Sequence, residues 1–213
     1  MTKVDNAEGM SDTCPPSTCP QCQLRFQCVC EQLPKLDSSI HFALLIHENE
    51  QNRETNTGQW LLKSMPSTTS VHIWQRKSPC PKLVALLENP RYQAYLLFPG
   101  DESIEVTRAC AKAGETQTLP LFIVLDGTWQ EAKKMLRKSP WLQSIPLAHV
   151  TPSKTSNYQL RRNQEEGHLC TLEVGCEVLS AVGEKAQSEQ LLQFFDHYML
   201  AFKADKSGHS LKS

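Results

Sequence analysis

Short uninterrupted apolar runs alternate along the chain with longer stretches whose apolar residues recur every three or four positions. The runs are His41–His47 (HFALLIH), Val71–Trp74 (VHIW), Ala94–Phe98 (AYLLF), Leu121–Leu125 (LFIVL) and Leu147–Val150. Runs such as LFIVL have no polar alternation, the pattern of strands buried on both faces of a parallel sheet. The periodic stretches are Thr55–Ser64, Pro81–Glu88 with proline at its start, Ser103–Ala113, Thr128–Lys138 and His168–Val182. Gln187–Lys203 closes the series as a long amphipathic helix, its stripe formed by Leu191, Leu192, Phe194, Phe195, Tyr198, Met199 and Phe202. This alternation predicts an open, mostly parallel α/β sheet.

The flanks differ in character. Residues 1–13 are polar and read as a disordered tail, and residues 14–36 as a cysteine-rich unit. Residues 37–205 form the α/β domain, and residues 206–213 a second disordered tail. With 213 residues and 39% hydrophobic content, the chain suffices for one packed domain with a small appendage. Its 22 basic and 23 acidic residues leave a net charge of −1, so any polyanion site must be a local patch. The N-terminal stretch lacks an apolar signal core, and no apolar run approaches the roughly 20 residues of a membrane span. A cytoplasmic chain with no membrane partner is therefore expected; the sequence leaves the oligomeric state open, with a monomer slightly favoured. In a reducing compartment its nine cysteines point to metal more than to disulfides.

Four of those cysteines, Cys19, Cys22, Cys28 and Cys30, are spaced C-x2-C-x5-C-x-C. Thiolates on two tight turns suit a tetrahedral zinc site, with Cys14 as a substitute ligand. Free or redox-active thiols and an iron–sulfur cluster are the alternatives. A closed four-ligand site would be structural. Cys80, Cys110, Cys170 and Cys176 lie in apolar surroundings and read as packing residues.

Ligands of open α/β sheets bind beyond the carboxyl ends of the strands. Three such places carry polar chemistry: LLFPGDES (Leu96–Ser103), LDGTWQEAKKML (Leu125–Leu136) and HLCTLEVG (His168–Gly175). Thr128 and Glu131 have capping-box spacing, so Asp126 and Thr128 can serve as helix caps as well as in chemistry. Gly127 lets backbone approach a ligand, and Asp126 with Trp129 suits a cationic or aromatic one. The phosphate loop, the dinucleotide fingerprint and the serine-hydrolase elbow are all missing.

Asp126-Gly127-Thr128-Trp129 resembles the D-x-T-W motif of the DTW-domain family, the tRNA-uridine aminocarboxypropyltransferases. Other segments agree in order: the cysteine knuckle, His47-Glu48-Asn49-Glu50 with Arg53 and Asn56-Thr57-Gly58, Leu97-Phe98-Pro99, and Tyr158, Arg161 and Arg162 with Thr171-Leu172-Glu173. Glu48 and Val174 depart from the family pattern. The resemblance implies a SPOUT-like sheet with a trefoil knot near the C-terminal part, against the general rarity of knots. It further implies transfer of the 3-amino-3-carboxypropyl group of S-adenosylmethionine to N3 of a tRNA uridine, releasing 5′-methylthioadenosine. An RNA methyltransferase of the same fold and a non-catalytic zinc-containing RNA-binding module are the alternatives.

On this resemblance Asp126 is the expected general base, with Thr128 and Trp129 beside it in the catalytic motif. Leu97, Phe98, Pro99, Gly100, Leu125, Gly127, Thr171 and Leu172 would hold the cofactor. Arg53 or Arg161 would bind its carboxylate, and Glu173 its ammonium; Glu173 also reads as a first-turn helix acid. Lys133, Lys134, Arg137 and Lys138 would meet tRNA phosphates, extended by Lys154, Arg161 and Arg162. The same basic residues also suit a solvated helix face. His47 and His72 read as polar groups at strand ends.

Overall fold

The computed structural model describes residues 17–152, 156, 158 and 169–211. The expectations for residues 1–13, Cys14, Lys154, Arg161, Arg162 and His168 lie outside the described residues. Within them, six strands form one sheet: β1 (His41–Ile46), β2 (Thr69–Ile73), β3 (Tyr92–Leu97), β4 (Ile104–Glu105), β5 (Leu119–Asp126) and β6 (Leu147–His149). Their order is β2-β1-β5-β3-β6-β4. Every pairing is parallel. The apolar runs therefore mean what they suggest, since β5 is buried from Pro120 to Asp126.

Among the described residues, seven α-helices cover the sheet: α1 (Gly58–Ser64), α2 (Pro81–Leu87), α3 (Val106–Glu115), α4 (Trp129–Lys138), α5 (Pro140–Gln143), α6 (Thr171–Ala181) and α7 (Lys185–Lys206). Strand parity divides the interior in two. Phe42 and Leu44 of β1 with Phe122 and Val124 of β5 pack against α1, α3, α6 and α7. Ala43, Leu45, Leu121, Ile123 and Leu125 point the other way, toward α2, α4 and α5. In α7 the expected stripe faces inward, with Leu191, Phe194, Phe195, Tyr198, Met199 and Phe202 all buried. Trp60 of α1 is fully buried and meets Phe194 and Tyr198 edge-on, at 5.1 and 4.7 Å between ring centres.

Two elements differ from the pattern reading. Ile104–Glu105 begins as a strand before α3, and α5 is a separate turn started by Pro140. Neither is long enough to show a period. The residues expected as a frayed tail from 206 continue as structure: Lys206 ends α7, and the Leu211 N–H donates to Gln27 Oε1 at 2.9 Å. The cysteine-rich segment is not a separate lobe, because Cys22, Leu24 and Val29 are buried in the same apolar cluster as α1 and α7. Its Arg25 and Phe26 N–H groups both donate to Asp205 Oδ1 near the end of α7.

Among the described residues no helix is long and apolar enough to cross a membrane. Helices α1 and α6 touch where α6 has no side chain. A Cβ on Gly175 would stand 2.5 Å from Leu61 Cδ2 and 2.8 Å from Leu61 Cδ1, and Leu61 is itself fully buried. Gly175→Ala is expected to destabilise the fold by about 1–3 kcal/mol through overpacking. Chemical denaturation with an unchanged midpoint would contradict this close contact.

Candidate functional site

A cleft of about 580 Å³ opens where β3, β5 and β6 end. Its size and its mainly apolar walls are those of a small-molecule site. Leu97, Phe98 and Pro99 come from the end of β3, and Leu125, Gly127, Thr128 and Trp129 from the end of β5. Thr171 and Val174 enter from the start of α6, and Arg53 and Thr57 from the loop before α1. Phe98 and Trp129 lie ring on ring, 5.0 Å apart and 5° from parallel, and Lys133 Nζ stands 5.1 Å over the Trp129 ring. This wall can meet a flat ring, with a cation at its back.

Asp126 does not line the cleft. Strand parity turns it toward α1, as it does Phe122 and Val124, and only 2% of its surface is exposed. Its Oδ2 accepts from Asn56 Nδ2 at 2.7 Å and its Oδ1 from the Thr171 hydroxyl at 2.7 Å. Its carbonyl accepts the His47 N–H at 3.0 Å. A Cβ on Gly58 would come within 2.7 Å of Asp126 Oδ2, so only glycine leaves that oxygen its place. The acid touches the cleft through Thr171, not directly.

Three further residues differ from their expected roles. Gly100 is exposed and outside the lining. Leu172 is a fully buried packing residue whose N–H donates to Thr57 Oγ1 at 3.3 Å. Glu173 faces inward at 6% exposure, where Oε2 accepts from Cys170 N–H at 2.8 Å and the Ser156 hydroxyl at 2.7 Å. This is the first-turn role, now specified as half of a capping box. Arg53 lines the cleft with its guanidinium held by the fully buried Glu50, Nη1 to Oε1 at 2.6 Å.

Thr128 borders the cleft and caps α4. Its hydroxyl accepts from Glu131 N–H at 3.3 Å, while its own N–H and hydroxyl donate to Glu131 Oε2 at 2.8 and 2.9 Å. Lys133, Lys134, Arg137 and Lys138 are all exposed on the outer face of the same helix. His149 and Tyr158 line the cleft without having been expected there as site residues. His149 sits between Ser103 Oγ, 2.8 Å from Nδ1, and Glu105 Oε1, 3.3 Å from Nε2. The strand-end rule would have found His149, which closes β6. The Tyr158 hydroxyl donates to the Thr55 carbonyl at 2.9 Å.

A second constellation lies away from the cleft. The Sγ atoms of Cys19, Cys22, Cys28 and Cys30 all fall within 4.8 Å of one another. The separations are 3.5 Å for Cys19–Cys28, 3.8 Å for Cys19–Cys30 and 3.9 Å for Cys22–Cys28. A tetrahedron of thiolates about 2.3 Å from one ion has edges of about 3.8 Å, so this set fits a single metal ion. The backbone N–H groups of Cys22 and Gln21 hold the Cys19 thiol down, at about 6, whereas burial pushes the Cys22 and Cys30 thiols up, so a metal would bind by displacing their protons.

The DTW domain family model matches residues 16–203, the span that contains both constellations. The chain belongs to the DTW domain family. A protein of Drosophila melanogaster named tRNA-uridine aminocarboxypropyltransferase 2 is 26% identical over 184 residues, covering 84% of this DTW chain and 71% of its own length. A protein of the same name from Macaca fascicularis is 25% identical over 171 residues, covering 78% of this chain and 56% of its own. No solved structure matches the chain.

The DTW motif thus divides its work between capping, a cleft wall and a buried acid. Burial pushes Glu131 upward, but the Thr128 N–H, Asn49, the Thr128 hydroxyl and His47 outweigh it and hold its carboxyl at about 2. A carboxyl depressed in the folded state adds stability that is complete above its unfolded value and lost as pH falls through the folded one. Glu131 should therefore contribute fully above about pH 4.5 and progressively less toward pH 2. Urea unfolding of Glu131→Gln between these limits should show a flatter pH dependence than the parent. Equal slopes would deny Glu131 this role.

Proposed function

We propose that this DTW domain is an S-adenosylmethionine-dependent tRNA-uridine aminocarboxypropyltransferase that alkylates uridine N3 and releases 5′-methylthioadenosine. The cleft carries this reading, because the family's motif residues Phe98, Gly127, Trp129 and Thr171 meet in it beyond the strand ends. The names of the two relatives support the same substrate class. The parallel order β2-β1-β5-β3-β6-β4 is compatible with a SPOUT relation. The chain path between β6 and α6, where a knot would be threaded, lies mostly outside the described residues.

The sulfonium supplies an electrophilic γ-carbon when the co-substrate is bound. The stacked Phe98–Trp129 pair forms one wall for the flat part of the ligand, and Leu97, Pro99 and Leu125 exclude water around it. Arg53, oriented by Glu50, binds the amino-acid carboxylate through its remaining donors. Thr171 Oγ1 accepts the uridine N3 proton as its own proton passes to Asp126 Oδ1, 2.7 Å away. N3 then bonds to the γ-carbon while the carbon–sulfur bond breaks, its electron pair leaving on the neutral thioether. Lys133, Lys134, Arg137 and Lys138 meet tRNA phosphates beside this wall. We place residues 37–205 as the catalytic domain of a cytoplasmic enzyme and residues 14–36 as a structural zinc knuckle.

Purified protein given unmodified tRNA and S-adenosylmethionine labelled in the carboxypropyl or in the methyl group should transfer only the carboxypropyl label. Transfer of methyl label alone would make the chain a methyltransferase, and tRNA binding indifferent to the co-substrate would make it a binding module. Asp126→Asn is expected to lower turnover about 10²–10⁴-fold, the usual worth of a general base. Undiminished turnover in that variant would refute the proton path.

For the knuckle, Cys22→Ser should remove the metal measured by elemental analysis and lower the midpoint of thermal unfolding. One zinc ion in both proteins would exclude Cys22 as a ligand.

A further inference from the structure

Gln21 lies inside the knuckle turn, between Cys19 and Cys22, and its carbonyl is not left to solvent. Lys63 Nζ on α1 donates to it at 2.6 Å. The same ammonium donates to Gln59 Oε1 at 2.8 Å, one turn earlier on the helix. Gln59 in turn reaches back to the loop before the helix, donating through Nε2 to the Asn56 carbonyl at 2.9 Å and through its N–H to Asn56 Oδ1 at 3.2 Å. Asn56 Nδ2 then donates to Asp126 Oδ2 at 2.7 Å, and Asp126 Oδ1 receives the Thr171 hydroxyl that borders the cleft. Taken end to end, these contacts form one unbroken line of hydrogen bonds from the metal knuckle to the floor of the cleft.

Each link constrains the next by geometry. Asn56 aims Nδ2 at Asp126 with its Oδ1 held by the Gln59 N–H and the same Nδ2 also reaching the Glu50 carbonyl at 3.4 Å, and together these fix the amide's orientation. Gln59 keeps its own Nε2 on the Asn56 carbonyl because its Oε1 is fixed by Lys63. Lys63 is held in place by its ammonium over Trp60, Nζ standing 4.8 Å from the ring centre, and by the Gln21 carbonyl. That carbonyl keeps its position only while the turn keeps its shape, and four thiolates on one ion fix that shape.

We infer that Lys63 and Gln59 are positioning residues that couple the metal knuckle to the Asp126–Thr171 pair. The metal then does more than fold the N-terminal segment: through Lys63 and Gln59 it steadies the Asn56 backbone, from which the side-chain amide reaches Asp126. The role of Asp126 and Thr171 in catalysis rests on the transferase reading, but the coupling does not need any substrate to be observed.

The experiment is amide exchange with the metal-loaded protein and after a zinc chelator, read in peptides covering 56–61 and 171–174. Chelation should speed exchange in both peptides about fivefold, the factor that one net hydrogen bond supplies. Helix α2, which packs on the opposite face of the sheet, should not change and controls for global loosening. Lys63→Met keeps an unbranched side chain of similar length but removes the donor together with the ammonium over Trp60. It should retain its metal, show the faster exchange without chelator, and gain no further increment when chelator is added. Elemental analysis checks the first of these points. An equal chelator increment in the parent and in Lys63→Met would overturn the coupling through Lys63, and so would unchanged exchange at 56–61 after the metal is lost. Failure of the label-transfer assay, by contrast, would sink the transferase reading and leave this coupling intact.

Discussion

A carboxylate taken out of water must find donors, and Asp126 finds one on each side of it. Asn56 comes from the loop before α1 and Thr171 from the first residue of α6, so three segments distant in sequence meet at one acid. Removing either donor would leave part of the buried charge uncompensated, which costs more than the lost bond itself. The surrounding sequence is subordinate to this requirement. Gly58 leaves Asp126 Oδ2 its space, Thr57 takes the Leu172 N–H, and Tyr158 fixes the Thr55 carbonyl. The cleft floor is therefore a set of polar cross-links between loops.

The cleft walls follow a different logic. They sit beyond the ends of parallel strands, where side chains are no longer claimed by the sheet's own packing. Trp129 and Phe98 stack there and Lys133 stands over the Trp129 ring, so one aromatic pair lines the cleft while the helix behind it faces solvent with positive charge. Helix α4 thereby serves the pocket and the outer surface at once.

The sheet was legible in the sequence because a continuous apolar run, too short for a helix and bounded by turn residues, suits little except a strand buried on both faces. The knuckle was legible because its four cysteines are local. The right loops could be found as well, since strand ends in a parallel sheet are where ligands gather. The direction of each side chain could not. Asp126 looked like a cleft residue, but its parity with Phe122 and Val124 turns it to the α1 side. Glu173 looked able to meet an ammonium, yet the Cys170 N–H claims it. His149 escaped notice because the apolar run reads on to Val150, which hid that the strand ends at His149. Such assignments depend on neighbours brought in from far along the chain, and spacing carries no record of them.

The capture of Arg25 and Phe26 by Asp205, with Leu211 reaching Gln27, means that the two ends of the described chain meet at one corner. The molecule is closed like a ring, with α7 as its clasp. Fraying at the last turn of α7 would release the amides that hold the knuckle loop, and loosening of the knuckle would in turn free the helix end. The two ends are thus coupled through these three hydrogen bonds.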